Sequence, residues 1–535
     1  MLDASFILPF LLYAETHYSF KGVYSRFKKN EPEIIADAPH RIDPGKRIPI
    51  MLLFKDGHLH PAELIRVNIE LIANAQIIHS EDHVLNINIS GEKYQWMIFE
   101  IDIAEGLSGT IQADVSFEIE VDGRRKKYRN DNYRISSHKP LDICIADEPL
   151  PATEHWYFGD MHSHSAYTED QAEFGAPLEP SVELCRSMGL QFYAATDHSY
   201  DLDDMEFNYL KNDPELKKWR RFQEDVASLN QNKTDFVVIP GEEVSGGNAK
   251  NRNVHILVLN NSAFIPGKGD SAERWFRTQP DLTLDQIMDS MEKEALAIAA
   301  HPEIPPPFLE WLLIGRGKWG ESDYQHERLT GMQIWNGLDD DGFAEGVRRW
   351  TDFLLNGQRI YIFAGNDAHG NFNRFRQIGF PFFTFREHMN QIFGKMRTGL
   401  RIANGFDLES VMQAIRHGNA VISNGPFVEF EIRNDRGECT RIGGAADGNA
   451  VAIDIRCRSS HEFGRLTRLE VLIGDLAKKE EQVFRVIDQF DDPFSADMRI
   501  DVTGQSGPRY IRVELSTSVE IQKFRCLTNP IWFGE

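Results

Sequence analysis

Between Trp156 and Asp367 seven short apolar segments alternate with amphipathic stretches, and six of the seven end in or carry a histidine or a carboxylate. The apolar segments are 157–162, 192–198, 236–244, 254–259, 297–301, 332–335 and 362–367. The amphipathic ones are 180–188, 216–229, 284–294 and 344–355. Alternation of strand and helix signals points to a parallel sheet or barrel, here one unit short of the usual eight. In parallel α/β folds the carboxyl ends of the strands converge on one face, where ligands and active sites sit.

The residues at those ends are the ones that bind metals. The first segment closes as Gly159-Asp160-Met161-His162-Ser163-His164, and residues i and i+2 of a strand share a face, so two imidazoles can grip one cation. The second ends Thr196-Asp197-His198 and the third Gly241-Glu242-Glu243. The fourth carries His255, the fifth ends Ala300-His301-Pro302, and the seventh runs Asn366-Asp367-Ala368-His369. A single such histidine is a structural residue more often than a ligand. Their joint placement near the same ends of successive strands is what argues for a site.

In this order the motifs resemble those of the PHP superfamily, named for polymerase and histidinol phosphatase, over roughly residues 155–426, up to Ser423-Asn424-Gly425-Pro426. The resemblance implies an α/β fold, a distorted (β/α)7 barrel binding two or three divalent metals (Zn, Mn or Fe) at its mouth. It assigns one metal to His162, His164 and Asp367 with Glu243 bridging, a second to Glu243, His255 and His301, and a third to Asp170, His198 and His369. Glu169 stands beside Asp170 and either can ligate; the Gly-Asp-x-His start of the first motif favours Asp170. Glu242 adjoins Glu243, and alternation along a strand lets only one face the metals; the usual one-residue gap after Gly241 favours Glu243.

Residues 1–150 and 427–535 read as β-rich flanking domains, the second sandwich-like, around a barrel at 151–426. The chain carries 58 Lys and Arg against 82 Asp and Glu, a net charge of −24. That disfavours long nucleic acid and anionic membranes as partners and leaves a small-molecule substrate, with self-association through the β domains compatible. Five scattered cysteines, with no CxxC pair, argue against a disulfide framework. No basic start precedes the short apolar run at 6–13, and no run approaches the ~20 residues of a membrane span. A cytoplasmic protein is expected.

Paired metals would lower the pKa of a bridging water and steady an anionic transition state. The expected activity is phosphoester hydrolysis on a small phosphorylated or nucleotide substrate, with Arg374, Arg376 and Arg252 as candidate substrate contacts because guanidinium binds phosphate in a fork. The alternatives are hydrolysis of a carbon-centred ester, amide or carbamate, and a non-catalytic module whose metals are structural. Asn336, at the sixth strand end, is read as a turn residue. Asp197 is read as either orienting a ligand or capping its strand.

Overall fold

The computed structural model describes residues 30–534 apart from 134–136, 169–174, 207, 233–234, 272–277, 307, 338–340, 375–376, 380–383, 387–390 and 506. The chain divides into two compact units. One gathers residues 1–147, 164–189 and 367–393, and the other residues 148–163, 190–366 and 394–535.

The first unit is built on antiparallel strands, apart from the parallel pair of Arg41–Ile42 with Leu141–Ile145. Glu33–Asp37, Ile48–Lys55 and Tyr94–Ile101 form one sheet. Arg41–Ile42, Leu141–Ile145, Gly109–Val121, Ala62–Ala73 and Gln76–Ile89 form a second in that order, with Arg124–Arg129 also paired to Gly109–Val121. Strict alternation explains the long strand Gly109–Val121: Ile111, Ala113, Val115, Phe117, Ile119 and Val121 are buried, and the residues between them are not. They pack with Ile50, Leu52, Val67 and Ile69 in one apolar core.

In the second unit all seven apolar segments are strands: Trp156–His164, Phe192–His198, Val237–Gly247, Asn253–Leu259, Leu296–Ala300, Leu329–Asn336 and Tyr361–Gly365. Helices Lys217–Asn232, Leu284–Ser290 and Asp341–Leu355 lie between them in sequence. The strands are apolar throughout because both faces are covered. Val254, Ile256 and Val258 enter one core with Trp335 and Trp350, whereas Leu257 and Leu259 enter another with Phe192, Ile239 and Val411.

The expected distorted (β/α)7 barrel is corrected by the strand pairing. Phe192–His198 pairs in parallel with Trp156–His164 and with Val237–Gly247, but Asn253–Leu259 is antiparallel to both its neighbours. The reason is local: only residues 248–252 separate it from the preceding strand, room for a hairpin turn and not for a crossover helix. The parallel direction resumes from Leu296–Ala300 through Leu329–Asn336 to Tyr361–Gly365. On its other edge Trp156–His164 pairs antiparallel with Arg397–Arg401. The sheet then continues through Ala420–Ser423, Gln522–Thr528, Arg509–Val519 and Arg465–Asp475 to Glu480–Ile487. Among the described residues no ladder joins Tyr361–Gly365 back to Trp156–His164, so the result is an extended mixed sheet in a β-dominated chain. No helix among the described residues is long and apolar enough to cross a membrane.

Candidate metal centre

Alternation along Val237–Gly247 decides what its two adjacent glutamates do. Glu243 shares parity with Val237 and Ile239, and Glu242 with Val244, so their side chains leave opposite faces of the sheet. Register then assembles the neighbours of Glu243: His198 is its parallel partner on one side, and Leu257, two residues from His255, is its antiparallel partner on the other. His301 follows the end of Leu296–Ala300 with φ at 31°, the left-handed region that a non-glycine residue occupies at a cost.

The outcome is one buried carboxylate ringed by four imidazoles. Oε1 of Glu243 lies 2.5 Å from Nδ1 of His255, 3.2 Å from Nε2 of His301 and 3.4 Å from Nε2 of His162. Its Oε2 lies 3.0 Å from Nδ1 of His198. Glu243, His255 and His301 each offer a donor atom within 4.8 Å of the others'. The rings of His255 and His301 stand 5.5 Å apart, and those of His162 and His301 stack at 5.6 Å. Burial by itself would raise the Glu243 carboxyl, but the charges of His255 and His162 and the hydrogen bonds of His162 and His198 bring it well below the usual range. Glu242 shows the opposite behaviour. Burial pushes it well above that range, against the hydrogen bond it accepts from the Ile265 amide.

Residues without a sequence signal complete this cluster. The second ring nitrogen of His255, Nε2, lies 2.9 Å from Oδ2 of Asp270, which also accepts from Nη1 of Arg316 at 2.6 Å. Burial and Arg316 both lower His255, yet Glu243 and Asp270 outweigh them and hold it up to about 9. Burial likewise opposes the charge on Asp270, and His255 and Arg316 overcome it, keeping the carboxyl well below its ordinary value. Nδ1 of His162 lies 2.8 Å from Oε1 of Gln333, whose amide donates to Oδ1 of Asn336 at 3.0 Å. Asn336 thus accepts from the amide group whose oxygen meets His162. Asp160 sits under the cluster as a structural hub, accepting from the amides of His162, Asn366 and Gly394 and from the Asn366 side chain. Burial raises it to about 6, although those hydrogen bonds favour its charge.

The remaining expected residues fall as follows. In the first unit, Nε2 of His164 lies 3.0 Å from Oδ1 of Asp367, whose Oδ2 accepts from Gln391 at 2.9 Å, and the His164 and His369 rings stack at 4.1 Å. Arg374, also there, is buried: its amide donates to Asp37 at 3.0 Å and its guanidinium lies 3.7 Å from that carboxylate. Arg252, in the second unit, stacks on the Trp311 ring at 4.9 Å and donates to the Trp311 carbonyl at 2.9 Å. Arg316 does reach the Glu243 cluster, with its guanidinium 3.3 Å from Nδ1 of His255. Asp197 is buried. Glu169, Asp170 and Arg376 lie outside the described residues.

No family model matches the chain, and no curated protein matches it. Solved structures similar to it include a β-glucuronidase of Parabacteroides merdae, at 10% identity over 95% of this chain and 64% of that one, with a TM-score of 0.20. A putative β-galactosidase of Bacteroides fragilis matches at 10% identity over 95% and 74%, TM-score 0.20. A glycosyl hydrolase family 2 member of Bacteroides cellulosilyticus matches at 7% identity over 94% and 79%, TM-score 0.20. The chain spans less than two thirds of the β-glucuronidase's length. These are not PHP proteins. The expected PHP membership, and the phosphoester cleavage that came with it, are corrected: no family model and no curated protein supports them. At a TM-score of 0.20 the likeness carries neither a fold nor an activity to this chain.

Proposed function

We propose that the protein is a divalent-metal-dependent enzyme whose centre is held by Glu243, His255 and His301, with His162 and His198 beside them, and that it uses water as the attacking group. One observation carries this reading: a buried carboxylate with four imidazole nitrogens within 3.4 Å of its oxygens. Four imidazolium ions around one carboxylate in a dry interior would leave several charges uncompensated, at several kcal/mol each by the usual burial costs. Neutral rings converging on a cation remove that cost, since the cation supplies the positive charge and each ring a lone pair. A carboxylate-plus-imidazole set suits Zn²⁺, Mn²⁺ or Fe²⁺.

A bound divalent cation supplies Lewis acidity and makes water a nucleophile near neutral pH. The chain's own groups do the rest. Glu243 contributes the anionic ligand, Gln333 fixes the ring of His162, and Arg316, 2.6 Å from Asp270 and 3.3 Å from Nδ1 of His255, keeps a permanent positive charge beside the centre.

The test is metal analysis of purified protein, followed by turnover of a chromogenic panel spanning glycoside, carboxylic ester, amide and phosphate bonds, with and without chelator. Cleavage that needs the metal and is lost in His301→Ala supports the reading and names the bond class. Cleavage that survives complete metal removal overturns it, as does a folded protein that binds no divalent cation.

A further inference from the structure

The loop that follows the antiparallel strand Asn253–Leu259 sends one carboxylate back to the candidate centre. Asp270 is buried, and its two oxygens are fully engaged. Oδ2 accepts from Nε2 of His255 at 2.9 Å and from Arg316 at 2.6 Å, and Oδ1 accepts the Ser245 hydroxyl. The backbone shows why these groups meet. Ser245 and His255 are direct partners in the antiparallel ladder and so project from the same face. An isolated bridge between Ser245 and Lys268 lays the 268–270 segment along that strand. Arg316 is delivered by a second anchored loop, in which Asn253 bonds Gly315 and Gly317 at 3.0 and 2.8 Å on either side of it. A side chain at 317 would press its Cβ to 2.6 Å from that of Arg252, so glycine lets this loop approach.

We infer that Asp270 is the positioning residue of the centre: it holds the Nε2–H of His255, so that Nδ1, 2.5 Å from Glu243, is the atom the ring presents to the cation. This rests on the metal-centre reading above and adds which nitrogen binds and what fixes it. An imidazole that donates one N–H to a carboxylate keeps its lone pair on the other nitrogen, and the carboxylate makes that nitrogen a better ligand. Ser245 and Arg316 occupy the other acceptor positions of Asp270, which holds it beside the ring and away from direct ligation. His255 is thereby oriented from a loop that no spacing in the sequence connects to it.

The experiment compares Zn²⁺ affinity of the full-length protein and Asp270→Asn by competition with a chromophoric chelator, alongside apo-protein circular dichroism and Tm. The expected result is a 10–100-fold weaker affinity in a folded variant, the range typical of an outer carboxylate on a metal-bound histidine. Unchanged affinity in the folded variant, with only a lower Tm, makes Asp270 a structural residue and overturns the inference. Wild-type protein that binds no cation removes the metal centre itself, a distinguishable failure. Should Asp270→Asn not fold, wild-type protein with ¹⁵N-labelled histidine and ¹¹³Cd decides. Cadmium coupling at Nδ1 of His255, assigned with His255→Gln, with the proton kept on Nε2, supports the inference. Coupling at Nε2 refutes it.

Discussion

Two adjacent glutamates on one strand give the sharpest test of the site, because their substitution by glutamine should have opposite consequences. Glu243 is surrounded by imidazoles that hold its carboxyl well below the usual range; Glu242 leaves the opposite face, accepts from the Ile265 amide and is pushed well above that range by burial. A unit negative charge and a dication about 4 Å apart attract by roughly 8 kcal/mol at an effective dielectric of 20, twice the figure for two unit charges. Removing the carboxylate charge also recovers its burial cost, several kcal/mol. A net loss of about 3–4 kcal/mol remains, which at about 1.4 kcal/mol per decade is a 10²–10³-fold weaker cation affinity for Glu243→Gln. Glu242→Gln keeps the size of a side chain that leaves the opposite face of the sheet, and its affinity should stay within about threefold of wild type, well under one decade. Isothermal titration or chelator competition reads both, with circular dichroism confirming the fold. Equal affinities for the two variants, or a larger loss at 242, would refute the assignment of the inward face and the site built on it.

Gln333→Leu strands Nδ1 of His162 in a dry interior and should cost about 1–3 kcal/mol in denaturant unfolding, the penalty of an unmet buried polar group. Gly365→Ala would put a Cβ 2.7 Å from the His162 amide and 2.8 Å from its Cβ, so a lowered stability of about 1–3 kcal/mol and a lower Tm are expected. In the first unit, burial raises Asp37 from 3.8 to about 6, which outweighs its Arg374 ion pair and its three backbone hydrogen bonds. The folded state therefore binds this proton more tightly than the unfolded state. Its stabilising contribution is complete below pH 3.8 and is lost as pH rises through about 6, some 3 kcal/mol in all. Unfolding free energies at pH 4 and 7, compared between wild type and Asp37→Asn, should show the slope shrinking in the variant; an unchanged slope sinks the reasoning.

Much of the strand pattern was legible because a local cause produced it. Runs such as Asn253–Leu259 and Leu296–Ala300 are apolar on both faces, and the chain bounds them with turns and amphipathic helices. That only one of Glu242 and Glu243 can face the site was legible for the same reason, since a period of two places one of any adjacent pair on each face; the preference for Glu243 came from the resemblance and not from the period. The closed barrel was the error that such local signals invite. A strand's sequence does not state its direction, and the short connection at 248–252 reverses Asn253–Leu259 and leaves a mixed sheet. The resemblance of motifs likewise rested on residue types at strand ends, and the barrel it implied does not agree with the strand pairing.

What the sequence determined by itself is the seven apolar strands, the alternation of side chains along them, and the concentration of imidazoles and carboxylates at their ends. Tertiary structure alone decided the company they keep. It set Gln333 on His162 and Asp270 and Arg316 on His255 from separate segments, and it placed His164, Asp367 and His369 in a unit shared with the N-terminal strands. It also engaged Arg374 with Asp37 and Arg252 with Trp311. The physical reason is range: backbone period and side-chain polarity act over a few residues and leave a trace in the sequence. A contact between Asp270 and His255 depends on the course of a loop and the register of a ladder, which exist only once the chain has packed.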